Sequence, residues 1–346
     1  MWFWHRWLGL AAMAVLLIAA ASGSLLVFKK PLVRWLVTPD SSLPGDYGSG
    51  QMARELDRIA AMLPLREPML IKAPNPEEPY WTLTDPQGNV RLFDIDSLLP
   101  YSDQLHVLDV LAFTRKLHID LLAGVPGETL LLAGGVLGLT LCVTGLVLWW
   151  PTRRLFRWQW VWPRPVRKSL MLQYHRHAGA AAAVILILVL LTGSVMLWQG
   201  LIRPLLPPAP VKVISPDTIT AGAGYDSQPS ALFNMARNQV PDGWPTYIRL
   251  PSAATAEASF RFRLPGEWHP NGRTSVSINT ASGEMRVSVR SDEATPGRML
   301  LNQLYPLHSG YGMNTFYMFL VMLGGVFLLW LCITGLYSYI RRASRF

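Results

Sequence analysis

The chain has 346 residues, of which 51% are hydrophobic and only 15% charged, with a formal net charge of +9. A soluble domain carries about 25% charged residues, so this balance excludes an ordinary water-soluble fold and points to lipid as the solvent. The two cysteines, Cys142 and Cys332, both lie within long charge-free stretches, so neither a disulfide framework nor a thiolate metal site is indicated.

In chain order, the first element is a charge-free stretch from Leu8 to Phe28, preceded by Trp2, Trp4, His5, Arg6 and Trp7. It meets the ~20 residues needed to cross ~30 Å of hydrocarbon as a helix. It also exceeds the roughly 7–15-residue core of a secretory signal, so residues 1–28 are expected as a retained span. Residues 29–128 follow as an extracytoplasmic segment. A helix is expected over Ser49–Leu63, then strands over Met69–Ala73, Tyr80–Thr84 and Val90–Asp94, the last two joined by the turn Asp85–Asn89. An amphipathic stretch from Asp103 to Leu122 carries His118.

The second charge-free stretch, Thr129–Trp150, is the second span. It leads into a basic loop, residues 151–177, with Arg153, Arg154, Arg157, Arg164, Arg167 and Lys168 and no acid from Pro151 to Tyr174. Ala178–Trp198 gives the third span (178–199). Pro204, Pro207, Pro208 and Pro210 then form a stiff linker into a second extracytoplasmic segment, 200–314. There a helix is expected over Ser227–Asn238 and strands over Tyr247–Leu250, Ala258–Leu264, Thr274–Asn279 and Glu284–Val289. Thr315–Ile340 is the fourth span, ending in Arg341, Arg342 and Arg345 within residues 315–346. Basic short flanks mark the cytoplasmic side. Both termini and the basic loop are therefore expected in the cytoplasm, with the two large loops outside. The positive charge is topological and gives no reason to expect nucleic-acid binding.

The chain repeats itself. His5 precedes Ser22-Gly23 as His175 precedes Thr192-Gly193, and His118 precedes Thr144-Gly145 as His308 precedes Thr334-Gly335, at identical spacings. Cys142 matches Cys332 in the same register. Both copies enter and leave from one side, so they are parallel repeats, which relate by a pseudo-two-fold axis along the membrane normal. That symmetry sets His5 against His175 near the cytoplasmic surface and His118 against His308 near the other. Facing imidazoles are the axial arrangement of a six-coordinate haem, so two haems are expected.

A 17-residue helical run rises ~25 Å, which levels Gly23 and Gly193 with the outer pair and Gly145 and Gly335 with the inner. Two readings of these glycines stand: close approach of a porphyrin, or small-residue helix packing. Arg6 and Arg176 are expected either to pair with propionates of the inner haem or to anchor at the interface, as is Arg115 at the outer haem. Lys116 reads as an anchor. His106, His177 and His269 have no repeat partner and read as surface or loop residues.

Three sets of residues carry a resemblance: His5-Arg-Trp-Leu-Gly9 with Ser22-Gly23; Leu117-His118 through Thr144-Gly145 to Arg154; and His175 with Thr192-Gly193 and Leu307-His-Ser-Gly310 with Thr334-Gly-Leu336. On these the chain resembles the PepSY-associated transmembrane-helix family, most closely siderophore-iron reductases of the FoxB type. The resemblance implies a bacterial inner-membrane protein with two small α+β PepSY-like periplasmic modules and two b-type haems on His5, His118, His175 and His308. It further implies electron transfer to ferric iron held by a siderophore. The cytoplasmic parts are too short for a flavin or nicotinamide domain and hold no G-x-G-x-x-G, so a separate flavoprotein reductase or a membrane quinol is the expected donor. Two other readings fit the sequence: a haem-free PepSY-type regulatory or binding protein, and a dihaem relay to another acceptor such as quinone. A transporter fits poorly, because the spans lack Asp, Glu, Lys and Arg.

Overall fold

A computed structural model describes residues 1–62, 69–101, 104–208, 210–214 and 228–343. The expected element limits Leu63, Asp103 and Ser227, and the tail residue Arg345, lie outside the described residues. The elements in order are α1 (Trp2–Leu26), α2 (Lys29–Leu36), α3 (Ser49–Met62), β1 (Leu70–Lys72), β2 (Trp81–Thr84), β3 (Val90–Phe93), α4 (Gln104–Asp120), α5 (Val125–Trp149) and α6 (Met171–Leu197). They continue as α7 (Gln199–Ile202), β4 (Val211–Ile214), α8 (Pro229–Gln239), β5 (Trp244–Arg249), β6 (Glu257–Arg263), β7 (Thr274–Asn279), β8 (Met285–Ser288), α9 (Pro296–Ser309) and α10 (Thr315–Ala343). Two units result. A membrane unit holds Met1–Lys29, Val110–Arg203 and Leu304–Phe346, and a sheet unit holds Lys30–Asp109 and Pro204–Gln303.

In the membrane unit, four helices are long and apolar enough to cross a bilayer: Trp2–Leu26, Val125–Leu155, Lys168–Leu197 and Thr315–Arg341. They close into a ring in which α1 and α6 each pack against both α5 and α10. Glycine makes the crossings tight. A Cβ on Gly134 would meet Val15 at 2.7 Å and one on Gly135 would meet Ser194 Oγ at 2.3 Å. The second copy repeats this, with Gly324 against Ile185 at 3.3 Å and Gly325 against Ser24 Oγ at 2.1 Å. In each pair the first glycine packs within its own copy and the second packs across to the other. Small residues are what lets helices approach when lipid supplies no hydrophobic drive.

The ends of α4 and α9, with His118 and His308, belong to this unit, although the sequence reading placed both histidines in the extracytoplasmic segments. After α4 the chain reverses sharply. Asp120 accepts the N–H of Leu122 on Oδ1 at 2.8 Å and that of Ala123 on its carbonyl at 2.9 Å. Leu121 (φ 51°) and Leu122 (φ 60°) are both left-handed. The matching turn after α9 places glycine, Gly310 (φ 80°) and Gly312 (φ 83°), at such positions.

The sheet unit corrects one expectation. The two extracytoplasmic segments were read as separate modules, but their strands form one eight-stranded sheet in the order β3-β2-β1-β5-β6-β7-β8-β4, all neighbours antiparallel. The joint is β1 on β5, with Ile71 opposite Ile248. One cross-strand row, Leu83–Ile71–Ile248–Phe260–Val276–Val287, is buried throughout. It faces Met52, Leu56 and Ile59 of α3 and Leu232, Phe233 and Ala236 of α8, and all of these share one core. The first segment's strands β1–β3 are only three or four residues long, and pairing with β5 extends them into the larger sheet. Asp57 of α3 accepts the Ser230 N–H at 2.8 Å and so caps α8 of the other segment. The strand β4 follows the proline linker and was not anticipated.

Candidate functional site

The four repeated histidines meet in two pairs. The ring centroids of His5 and His175 are 6.3 Å apart and those of His118 and His308 are 6.0 Å apart. Each ring comes from a helix of a different copy, so each copy supplies half of each pair.

Every Nδ1 is engaged, and always by the residues before a glycine. His118 Nδ1 lies 3.1 Å from the Ala19 carbonyl and 3.1 Å from Ser22 Oγ. His308 Nδ1 lies 3.0 Å from the Val189 carbonyl and 3.3 Å from Thr192 Oγ1. His175 Nδ1 lies 3.1 Å from the Leu331 carbonyl and 3.2 Å from Thr334 Oγ1. His5 Nδ1 lies 2.9 Å from Thr144 Oγ1. All four hydroxyls donate their own proton to the carbonyl four residues back: Ser22 to Ile18, Thr144 to Thr140, Thr192 to Leu188 and Thr334 to Trp330. The hydroxyl oxygens, like the carbonyls, are thus left to accept. Nδ1 must carry the hydrogen in each histidine, and Nε2 keeps its lone pair. This is the tautomer of a histidine ligand whose second nitrogen is held by the protein.

The adjacent glycines make room for these rings. A Cβ at Gly23 would lie 2.8 Å from His118 Cε1, and one at Gly193 would lie 2.7 Å from His308 Cε1. At Gly145 and Gly335 the corresponding distances to His5 and His175 are 3.3 and 3.4 Å. All four glycines sit at the level expected for them, and each lies against an imidazole, a contact that neither sequence reading named. The hydroxyls before them were quoted only as sequence markers. That a Ser or Thr precedes glycine in all four places was the signal for their role.

Burial, with a smaller contribution from His308, lowers His118 to about 4, and burial lowers His308 as well. Two imidazoles bound through Nε2 to one metal at roughly 2 Å place their centroids about 6 Å apart, as found in both pairs. Among the described residues no third His, Cys, Asp or Glu joins either pair. The donor set thus suits a metal that brings its own equatorial ligands, as iron does in haem. Arg6 lies over the Tyr339 ring at 4.4 Å, and its buried Nε has no hydrogen-bond partner among the described residues. Arg176 donates to Thr152 Oγ1 and is engaged within the chain. Arg115 and Lys116 are exposed.

Residues 2–342 match the family described as PepSY-associated TM region. The chain belongs to this family. No curated protein matches it closely enough to add a named relative. In this PepSY-associated protein, two further histidines differ from their sequence reading. His177, expected at the surface, is buried between Phe156 and Trp160 and accepts the Arg157 N–H at 3.2 Å, fastening the basic loop to α6. His269 is in a loop as expected but buried. Burial, then Arg273, Arg261 and Arg263, lower it to about 3. His106 is exposed as expected.

Proposed function

We propose that this multi-pass membrane protein is a dihaem b electron-transfer protein, with His5 and His175 as axial ligands of an inner haem and His118 and His308 of an outer one. The single observation that carries this reading is the fourfold repetition of one arrangement: an imidazole with Nδ1 held by backbone or hydroxyl, resting on glycine, and paired with its counterpart from the other copy at metal-bridging distance. Haem between two imidazoles supplies a one-electron relay with no open position for oxygen. The chain's part is to hold the four rings in one tautomer, with Nδ1 engaged by the protein and Nε2 left to bind.

The pseudo-two-fold axis belongs to the same proposal. It is supported by the matching glycine contacts and by a sheet that reads β1-β2-β3 and β5-β6-β7 outward from its central pair. Along α1, His5 and Gly23 are 18 residues apart, a rise of about 27 Å, so the two sites lie near opposite faces of the bilayer. With the basic loop cytoplasmic, haems held by these four histidines would supply a one-electron path from a flavoprotein or quinol at the inner site to an acceptor at the periplasmic face. Ferric iron in a siderophore is the proposed acceptor. Hard oxygen donors hold ferric iron far better than ferrous, so reduction favours release. Purified protein is expected to show a reducible b-type spectrum with about two haems per chain. Replacing His118 or His308 removes the outer haem, and replacing His5 or His175 removes the inner. A folded but colourless preparation would instead favour the regulatory reading.

A further inference from the structure

The two histidine pairs are not set alike. The rings of His5 and His175 are nearly perpendicular, at 81°, whereas those of His118 and His308 are tilted by only 35°. Their anchors differ too. His118, His175 and His308 each face a backbone carbonyl and a hydroxyl on Nδ1. His5 faces the Thr144 hydroxyl.

We propose that the Ser/Thr-Gly pairs are positioning residues that lock each axial imidazole plane, crossed at 81° at the inner site and tilted by only 35° at the outer, making the two haems electronically inequivalent. Thr144 is the most consequential of them. The proposal rests on the dihaem reading above and adds to it an assignment of which site behaves how. An imidazole cannot turn about its Cβ–Cγ bond without breaking the Nδ1–H bond to a fixed acceptor. The acceptor oxygens are fixed because each hydroxyl proton is already committed to its own helix, and the glycine beside each hydroxyl lets the ring come close.

Ring orientation matters because an axial imidazole donates π density into one of two metal d orbitals. Parallel rings act on the same orbital and split the two. Crossed rings act on both and leave them nearly degenerate. The Nδ1–H bond matters because donating it makes the ring a more basic ligand, which favours the ferric state and lowers the reduction potential. Removing the Thr144 hydroxyl takes away the acceptor of His5 and raises the inner potential. Removing Ser22, Thr192 or Thr334 leaves a carbonyl in place and shifts the potential less.

The test uses full-length protein purified with its haem, examined by electron paramagnetic resonance when oxidised and by redox titration. The wild type should give two low-spin ferric signals, one highly anisotropic and one rhombic. Thr144→Val should alter only the anisotropic signal and raise only one midpoint, and Thr144→Ser should restore both. Ser22→Ala should alter only the rhombic signal, with the smaller potential change. Two indistinguishable wild-type signals, which need no variant to observe, overturn the proposal while leaving the dihaem reading intact. So does a Thr144→Val protein with both signals and both midpoints unmoved. A colourless wild type overturns the dihaem reading and this proposal with it.

Discussion

Gly23 lies directly beneath His118, so close that a methyl group on its α-carbon would sit 2.8 Å from the ring carbon Cε1. The same relationship holds at 2.7 Å between Gly193 and His308, at 3.3 Å between Gly145 and His5, and at 3.4 Å between Gly335 and His175. These distances rank the four sites. Gly23→Ala and Gly193→Ala push an anchored imidazole off its acceptors and should strip the proposed outer haem. Gly145→Ala and Gly335→Ala meet contacts that a small shift relieves and should retain the inner one. Haem per chain, measured by absorbance against protein mass, checks the ranking. Equal loss in all four variants would mean that the glycines serve general helix packing instead.

The spans, the repeat and the two histidine pairings were legible in the sequence because each depends on spacing along one chain. His118 and His308 stand at equal distances from Thr144-Gly145 and Thr334-Gly335, and that arithmetic survives folding. What spacing does not encode is which surface an imidazole rests on. His118 of α4 sits on Gly23 of α1, and His5 of α1 sits on Gly145 of α5, contacts made between helices and not along one. The union of the sheet was hidden for a similar reason. Ile71 and Ile248 each read as the apolar centre of a local strand, and their direct pairing joins two segments separated by the second and third spans. His177 misled because an aromatic clamp by Phe156 and Trp160 has no periodicity to reveal it.

Leu122 occupies the left-handed region at φ 60° while half of its surface is exposed. A side chain in that conformation costs about 1–2 kcal/mol, which glycine avoids. The equivalent turn in the second copy already uses Gly310 and Gly312. Leu122→Gly should therefore stabilise the protein by about 1 kcal/mol, seen as a higher thermal midpoint in detergent. A lower midpoint would show that the exposed leucine contributes more through lipid contact than its backbone costs.

Glu55 is a buried acidic side chain that forms no ion pair among the described residues. It accepts from Tyr47 Oη at 2.5 Å, Trp81 Nε1 at 2.7 Å and Gln51 Nε2 at 2.8 Å, tying α3 to β2. Burial and Glu55 push the Tyr47 phenol up, so it remains a donor. Glu55→Ala strands the Trp81 and Tyr47 donors in the core and should cost about 3 kcal/mol or more. Glu55→Gln keeps one acceptor oxygen and should cost less. Denaturant unfolding followed through the near-ultraviolet signal of Trp81 checks the order. Equal stability of the alanine variant and the wild type would show that water replaces the carboxylate.

Glu78 gives the sheet unit an acid-sensitive contact. Its carboxylate is paired with Lys72 and, at 3.2 Å, with Lys30, and all three side chains are largely buried. Burial opposes its ionisation, but the two ammonium groups outweigh burial and hold the carboxyl down at about 2. In the unfolded chain a glutamate titrates near ~4.3. The folded value is the lower one, so this contribution is complete above the unfolded value and is lost as pH falls from about 5 toward 2. Burial lowers the Lys72 ammonium despite its pairing with Glu78, so the net contribution of the pair is smaller than the carboxyl shift alone would give. Unfolding free energy measured across this range should fall with acid in the wild type. Glu78→Gln has no carboxyl to protonate and should lack that part of the slope while being less stable near neutrality, where Lys72 is left without its partner. Parallel acid limbs in the two proteins would move the acid sensitivity to another group.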